Sequence, residues 1–87
     1  MKYKGVQLKT FVDINENQYC VSTVYVGGNL LPYEGFETMV FNAYEYKIHD
    51  YSEFDEFTER YKIEQLAIIG HMNTTEKLIY KLKEEEQ

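Results

Sequence analysis

Apolar and polar residues alternate at period two through the first half of the chain, then give way to a longer period. Residues 6–14 place Val6, Leu8, Val12 and Ile14 on one side of an extended chain and Gln7, Lys9 and Asp13 on the other, with Phe11 out of step. Asn15-Glu16-Asn17 is turn chemistry, because Asn accepts a positive φ. Residues 18–26 return to branched and aromatic side chains, so the two runs predict an antiparallel hairpin. Gly27-Gly28-Asn29 ends the second strand, and the stretch to Gly35 is a loop with an apolar centre. Leu30 and Leu31 either tuck under the sheet or, with Tyr33, form a contact loop. A third strand is predicted over residues 36–46. Phe36, Thr38, Val40, Asn42 and Tyr44 share one face and Glu37, Met39, Phe41 and Ala43 the other, so it should be central and covered by helix on one side.

Beyond Tyr46 the spacing changes. Ser52-Glu53-Phe54-Asp55 reads as a helix N-cap with an acid at N3, and Tyr51, Phe54 and Phe57 fall three apart, which predicts a short helix anchored inward. A longer helix is predicted from about Ile63. Ile63, Leu66, Ala67 and Gly70 form one stripe, and Met72, Thr75, Ile79 and Leu82 a second, about 130° away at about 100° per residue. A straight helix cannot bury both against one sheet, so it should bend near Gly70–Asn73, or end there and restart at Asn73-Thr74-Thr75-Glu76. The pattern as a whole is α+β: a three-stranded antiparallel sheet, with room for a fourth short strand near Thr58–Tyr61, packed on a C-terminal helix.

The 87 residues are expected to form a single domain over positions 1–87. Nine Tyr and five Phe supply enough aromatic surface for a core, and the Tyr hydroxyls belong at its margin or at an interface. The net charge of −6 argues against nonspecific DNA binding and against anionic membrane. Cys20 is the only cysteine, so no internal disulfide forms. No apolar run approaches the ~20 residues that span a bilayer. A signal-peptide core is not recognisable either, so a reducing cytosol is the expected compartment.

No motif carries chemistry. Asp13-Ile14-Asn15-Glu16-Asn17 begins like a calcium loop, but Gln18 and Val24 stand where Gly and Glu are required. His49, His71 and Cys20 lack the paired spacing of a zinc site, and Gly27-Gly28 lacks the basic residue and helix of a phosphate loop. Cys20 reads as a small buried hydrophobe, and His71, beside a helical glycine, as a core-edge or helix-end group. Neither a catalytic residue, a metal nor a cofactor is assigned.

The strings Phe36-Glu37-Thr38-Met39-Val40-Phe41, Glu59-Arg60-Tyr61, Ala67 and Gly70-His71, with Val21-Ser22-Thr23-Val24-Tyr25 before them, resemble a family of very small proteins encoded by phages and prophages of Gram-positive bacteria. The resemblance covers roughly residues 18–72. Such proteins carry an acid-rich helix start after a Thr where this chain has Lys62-Ile63-Glu64-Gln65-Leu66, and Ser52–Thr58 is longer and more acidic here. The resemblance implies a phage accessory gene; it implies no common activity, and the matched residues read as architecture.

The functional signal is charge. Asp50, Glu53, Asp55, Glu56 and Glu59 fall within one short segment and alternate with Tyr51, Phe54 and Phe57. This is either a solvated face over an aromatic anchor or a surface shaped for a basic cleft on a host protein. The leading expectation is a non-enzymatic accessory protein of the host cytosol that inhibits its partner, as an anti-defence (anti-CRISPR-type) protein mimicking nucleic acid does. Asp50, Tyr51, Glu53, Asp55, Glu56 and Glu59 would make the contact. Two alternatives stay open: an oligomer that sequesters a nucleotide signal, and a structural or virion-assembly homo-oligomer built through the sheet face and Leu30-Leu31.

Overall fold

A computed structural model describes residues 7–27 and 34–85, and the side chains among them apart from those of 50–53 and 55. The fold is α+β, an antiparallel sheet packed against one C-terminal helix. Strand β1 (Leu8–Ile14) turns back through Asn15, at φ 59°, into β2 (Asn17–Val26). The register Thr10↔Val21 and Val12↔Tyr19 sets Val12, Ile14, Tyr19 and Val21 on one face, while Phe11 and Cys20 pair on the other. β2 pairs along its length with β3 (Gly35–Tyr44), Val21 opposite Val40 and Thr23 opposite Thr38, so β3 is central as its two apolar faces require.

The chain after Tyr44 departs from the helix expected near Ser52–Phe57. Glu45 and Tyr46 both take positive φ, 50° and 62°, as a two-residue hairpin loop of the primed type demands. They return the chain as β4 (Lys47–Glu53), antiparallel to β3. Two contacts hold these unfavoured residues: the Tyr46 N–H donates to Gln18 Oε1 at 2.7 Å, and the Tyr46 ring meets Phe11 edge-on at 5.6 Å. Only one turn of 3-10 helix, η1 (Asp55–Phe57), interrupts the strand before β5 (Glu59–Tyr61) returns to β3. β4 lies against the Phe41–Tyr44 end of β3 and β5 against the Phe36–Thr38 end, while the Phe54 N–H bonds to the Val40 carbonyl at 3.1 Å between them. Backbone donors and acceptors left open along β3 thus outcompeted the local helix signal. β5 is the expected short fourth strand; β4 is an additional one.

Helix α1 runs from Glu64 to Glu85 without ending and restarting near Gly70–Asn73. It avoids the conflict between the two apolar stripes by burying a set of side chains that shares Ala67 and Gly70 with the first and none with the second: Ala67, Gly70, His71, Thr74 and Leu78. Ile63, Leu66 and Met72 are left exposed, while Ile79 and Leu82 pack at the margin of the core. That core is Val12, Ile14, Val21, Val40, Phe57 and Leu78. Phe54 and Phe57 do anchor inward, Phe54 edge-on to Tyr19 at 6.0 Å. Among the described residues no helix is long and apolar enough to cross a membrane.

Candidate functional site

The sequence-predicted acidic residues converge on one edge of the sheet. Asp50, Tyr51 and Glu53 lie on β4, with Asp50 opposite Asn42 and Glu53 opposite Phe41. The register shifts between those pairs, so β4 bulges there. Asp55 and Glu56 follow on η1, and Glu59 lies on β5 opposite Thr38. All six therefore border the side of β3 that β2 does not occupy.

Part of this charge is already used within the molecule. Glu56 ion-pairs with Lys81 of α1, whose ammonium also lies 5.7 Å from the centre of the Phe57 ring. Next to the segment, Arg60 donates to Glu37 at 2.8 Å across the β5–β3 pair. Glu59 is exposed, and its charge adds to the effect of burial in raising the pKa of Tyr61. Leu30, Leu31 and Tyr33, the expected contact loop, lie outside the described residues.

A second constellation was not assembled from the sequence. His71 projects from α1 into the sheet, where Nε2 meets the Thr10 hydroxyl at 2.8 Å and Nδ1 the Thr23 hydroxyl at 2.7 Å. Thr23 in turn bonds Thr38 at 2.6 Å, so β1, β2, β3 and the helix are joined through one chain of hydrogen bonds, buried at Thr23 and Thr38 and part-buried at Thr10. Either neutral tautomer satisfies it: the hydroxyls rotate to accept from whichever nitrogen carries the proton and to donate to the other. A protonated ring could donate to both, so no hydrogen bond opposes protonation; burial alone holds the pKa of His71 below the ordinary histidine range. One turn along, Tyr61 hydrogen-bonds Thr74 and lies across Gly70, where a Cβ would come within 2.1 Å of the ring. Glycine at 70 lets the helix approach that closely. The visible sequence signal was three threonines at inward-facing positions, 10, 23 and 38, with a histidine on the facing helix.

His71 beside the hydroxyls of Thr10 and Thr23 has the parts of a nucleophile–base pair, but Thr23 is wholly buried and His71 is 5% exposed, and only Thr10 is partly exposed. The cluster positions the helix on the sheet. Cys20 is buried too, and burial raises its thiol pKa, which makes it a poor nucleophile. Among the described residues no three His, Cys, Asp or Glu side chains gather to hold a metal ion. An open depression of about 540 Å³ is lined by Glu76, Ile79, Tyr80, Lys83 and Glu84, all on α1. No family model matches this sequence, and no curated protein and no solved structure matches it either.

Proposed function

We propose that this chain is a phage- or prophage-encoded accessory protein that acts by binding, not by catalysis. It docks the sheet edge carrying residues 50–59 into a basic cleft of a host protein. The observation that carries this reading is the placement of Asp50, Glu53, Asp55, Glu56 and Glu59 in sequence along one side of β3. A row of carboxylates on a folded edge attracts a nucleic-acid-binding surface over a distance, speeds encounter and discriminates against acidic proteins. The net charge of −6 supports the same reading. Inhibition follows if the acids occupy the path that a phosphodiester backbone would take, which makes anti-defence inhibition in the bacterial cytosol the concrete form of the proposal.

The test is capture of host proteins on the immobilised chain over a salt series, alongside an Asp55→Ala/Glu56→Ala/Glu59→Ala variant. A nucleic-acid-binding protein should be retained at low salt and released as ionic strength rises, and the variant should lose it. Retention that is indifferent to salt, or equal on the variant, would discard the charge-based reading. Because Glu56 is paired with Lys81, Asp55 and Glu59 should account for more of the loss than Glu56.

A further inference from the structure

The two outer borders of the sheet differ. Beside β3 the border is broken between β4 and β5, whereas β1 runs seven residues, Leu8–Ile14, in constant register with β2. Among the described residues β1 pairs with β2 alone, so its other side is open. The two-residue loop Asn15-Glu16 fixes which groups point there. It makes Ile14 and Asn17 a hydrogen-bonded pair, and such pairs alternate along an antiparallel ladder. Ile14, Val12, Thr10 and Leu8 therefore direct their main-chain groups to β2. Asp13, Phe11 and Lys9 turn their N–H and C=O outward. β1 carries no proline and no bulge to block that side; what guards it is the pair of charges, Lys9 and Asp13.

The order of side chains in β1 names what fits there. Counted outward from Phe11, Thr10 and Val12 are both β-branched, Lys9 and Asp13 are of opposite charge, and Leu8 and Ile14 are both aliphatic. Every residue of the strand obeys this symmetry, and Lys9 and Asp13 are its only charges. A two-fold axis through Phe11 lays a second β1 antiparallel to the first, each residue against the one equally far from the centre. It also sets outward-facing residues against outward-facing residues, so that each exchanges both of its main-chain bonds. We propose that β1 is a dimer interface and that its occupant is the β1 strand of a second copy of this chain.

In this pairing Phe11 lies opposite the partner's Phe11, and Lys9 opposite the partner's Asp13 on each side of the axis. Both charged side chains are exposed. Gln18 Nε2 donates to Asp13 Oδ1 at 2.8 Å, which leaves Oδ2 for an ammonium. Lys9 acts through its charge on the Cys20 thiol and takes part in no ion pair among the described residues. These charges select the register. A shift by two residues sets Lys9 or Asp13 against the partner's Phe11, and a shift by four brings two lysines or two aspartates together. β1 is neutral as a whole, so two acidic molecules can meet along it. The axis uses up β1 in both copies, and association stops at two. Residues 50–59 lie at the other side of the sheet, so this proposal and the acidic edge can fail separately.

The experiment measures the mass of the full chain by light scattering and sedimentation across the micromolar range. The wild type should approach twice its monomer mass at the upper end. Amide exchange at Lys9, Phe11 and Asp13 should slow in the dimer, whereas Thr10 and Val12 are protected in both states. Asp13→Lys places like charges opposite each other and should stay monomeric throughout, with an unchanged circular dichroism spectrum, since Asp13 is exposed. Adding Lys9→Asp should restore the dimer. Lys9→Cys and Asp13→Cys chains should cross-link when mixed under mild oxidation, and neither should do so alone; Cys20, being buried, should not compete. A wild type that stays monomeric, or a dimer whose Lys9, Phe11 and Asp13 amides exchange freely, would overturn the assignment. So would an Asp13→Lys chain that dimerises like the wild type, or cross-linking no faster in the mixture than in either chain alone.

Discussion

The two ends of the interface between helix and sheet are built from opposite materials. Toward the C-terminal half of α1, Leu78 sits wholly buried against Val12, Ile14, Val21, Val40 and Phe57, a conventional apolar core. Toward the N-terminal half, the same helix meets the same sheet through His71, Thr74 and Gly70 against Thr10, Thr23, Thr38 and Tyr61. Apolar contact is nondirectional and tolerates a shifted helix. A histidine whose two nitrogens must each find a hydroxyl does not. The difference assigns stability mainly to one end and the placement of the helix mainly to the other.

The sharpest way to break the first end is Leu78→Ala, which removes the largest buried side chain of the helix and should cost about 2–5 kcal/mol in chemical denaturation. The polar end is broken by His71→Ala, which leaves the hydroxyls of Thr10 and Thr23 without their nitrogen partners. A loss of about 1–3 kcal/mol is expected in the same experiment. The two variants should differ in kind as well as in size. The pKa of His71 is lowered in the folded state, so below its ordinary value near 6.5 the unfolded chain takes up the proton first. Stability should therefore be fully present above that pH and decline as the pH falls toward the depressed folded value. Urea titrations between neutral and mildly acidic pH should show this decline in the wild type and in Leu78→Ala, but a shallower one in His71→Ala. Equal slopes in all three would remove His71 from the account. The smallest effect belongs to Lys81→Ala: its ion pair with Glu56 is solvent-exposed, and a change within about 1 kcal/mol, shrinking in high salt, is expected.

The same contrast decides what was legible in the sequence. The hairpin β1–β2 and the central strand β3 were readable, because period-two alternation and Asn15 are local signals. β4 was not. Tyr51, Phe54 and Phe57 at intervals of three after an N-cap serine imitate a helix, and what overrules them is the open edge of β3, which is distant in sequence. The helix itself was legible and its buried face was not. Apolar periodicity points to Leu66 and Met72 as much as to Ala67 and Gly70, yet the sheet takes up Ala67 and Gly70 together with His71 and Thr74, which no hydrophobicity pattern selects. Thr23 and Thr38 become partners only once the register pairs them. The acidic segment was conspicuous as a run of sequence; its position along a sheet edge, and the diversion of Glu56 to Lys81, required the tertiary structure.

The broken outer edge beside β3 limits how another protein can hold this one. A partner that adds its own strand to a sheet needs an uninterrupted rail of main-chain donors and acceptors. Here β4 bulges between Asp50 and Glu53, and a 3-10 turn separates it from β5, so the rail is cut into short lengths. The molecule is thereby guarded on this side against strand-by-strand accretion into fibres. Whatever binds along this border must recognise side chains, so substitutions there should alter which partner is chosen while leaving the fold intact.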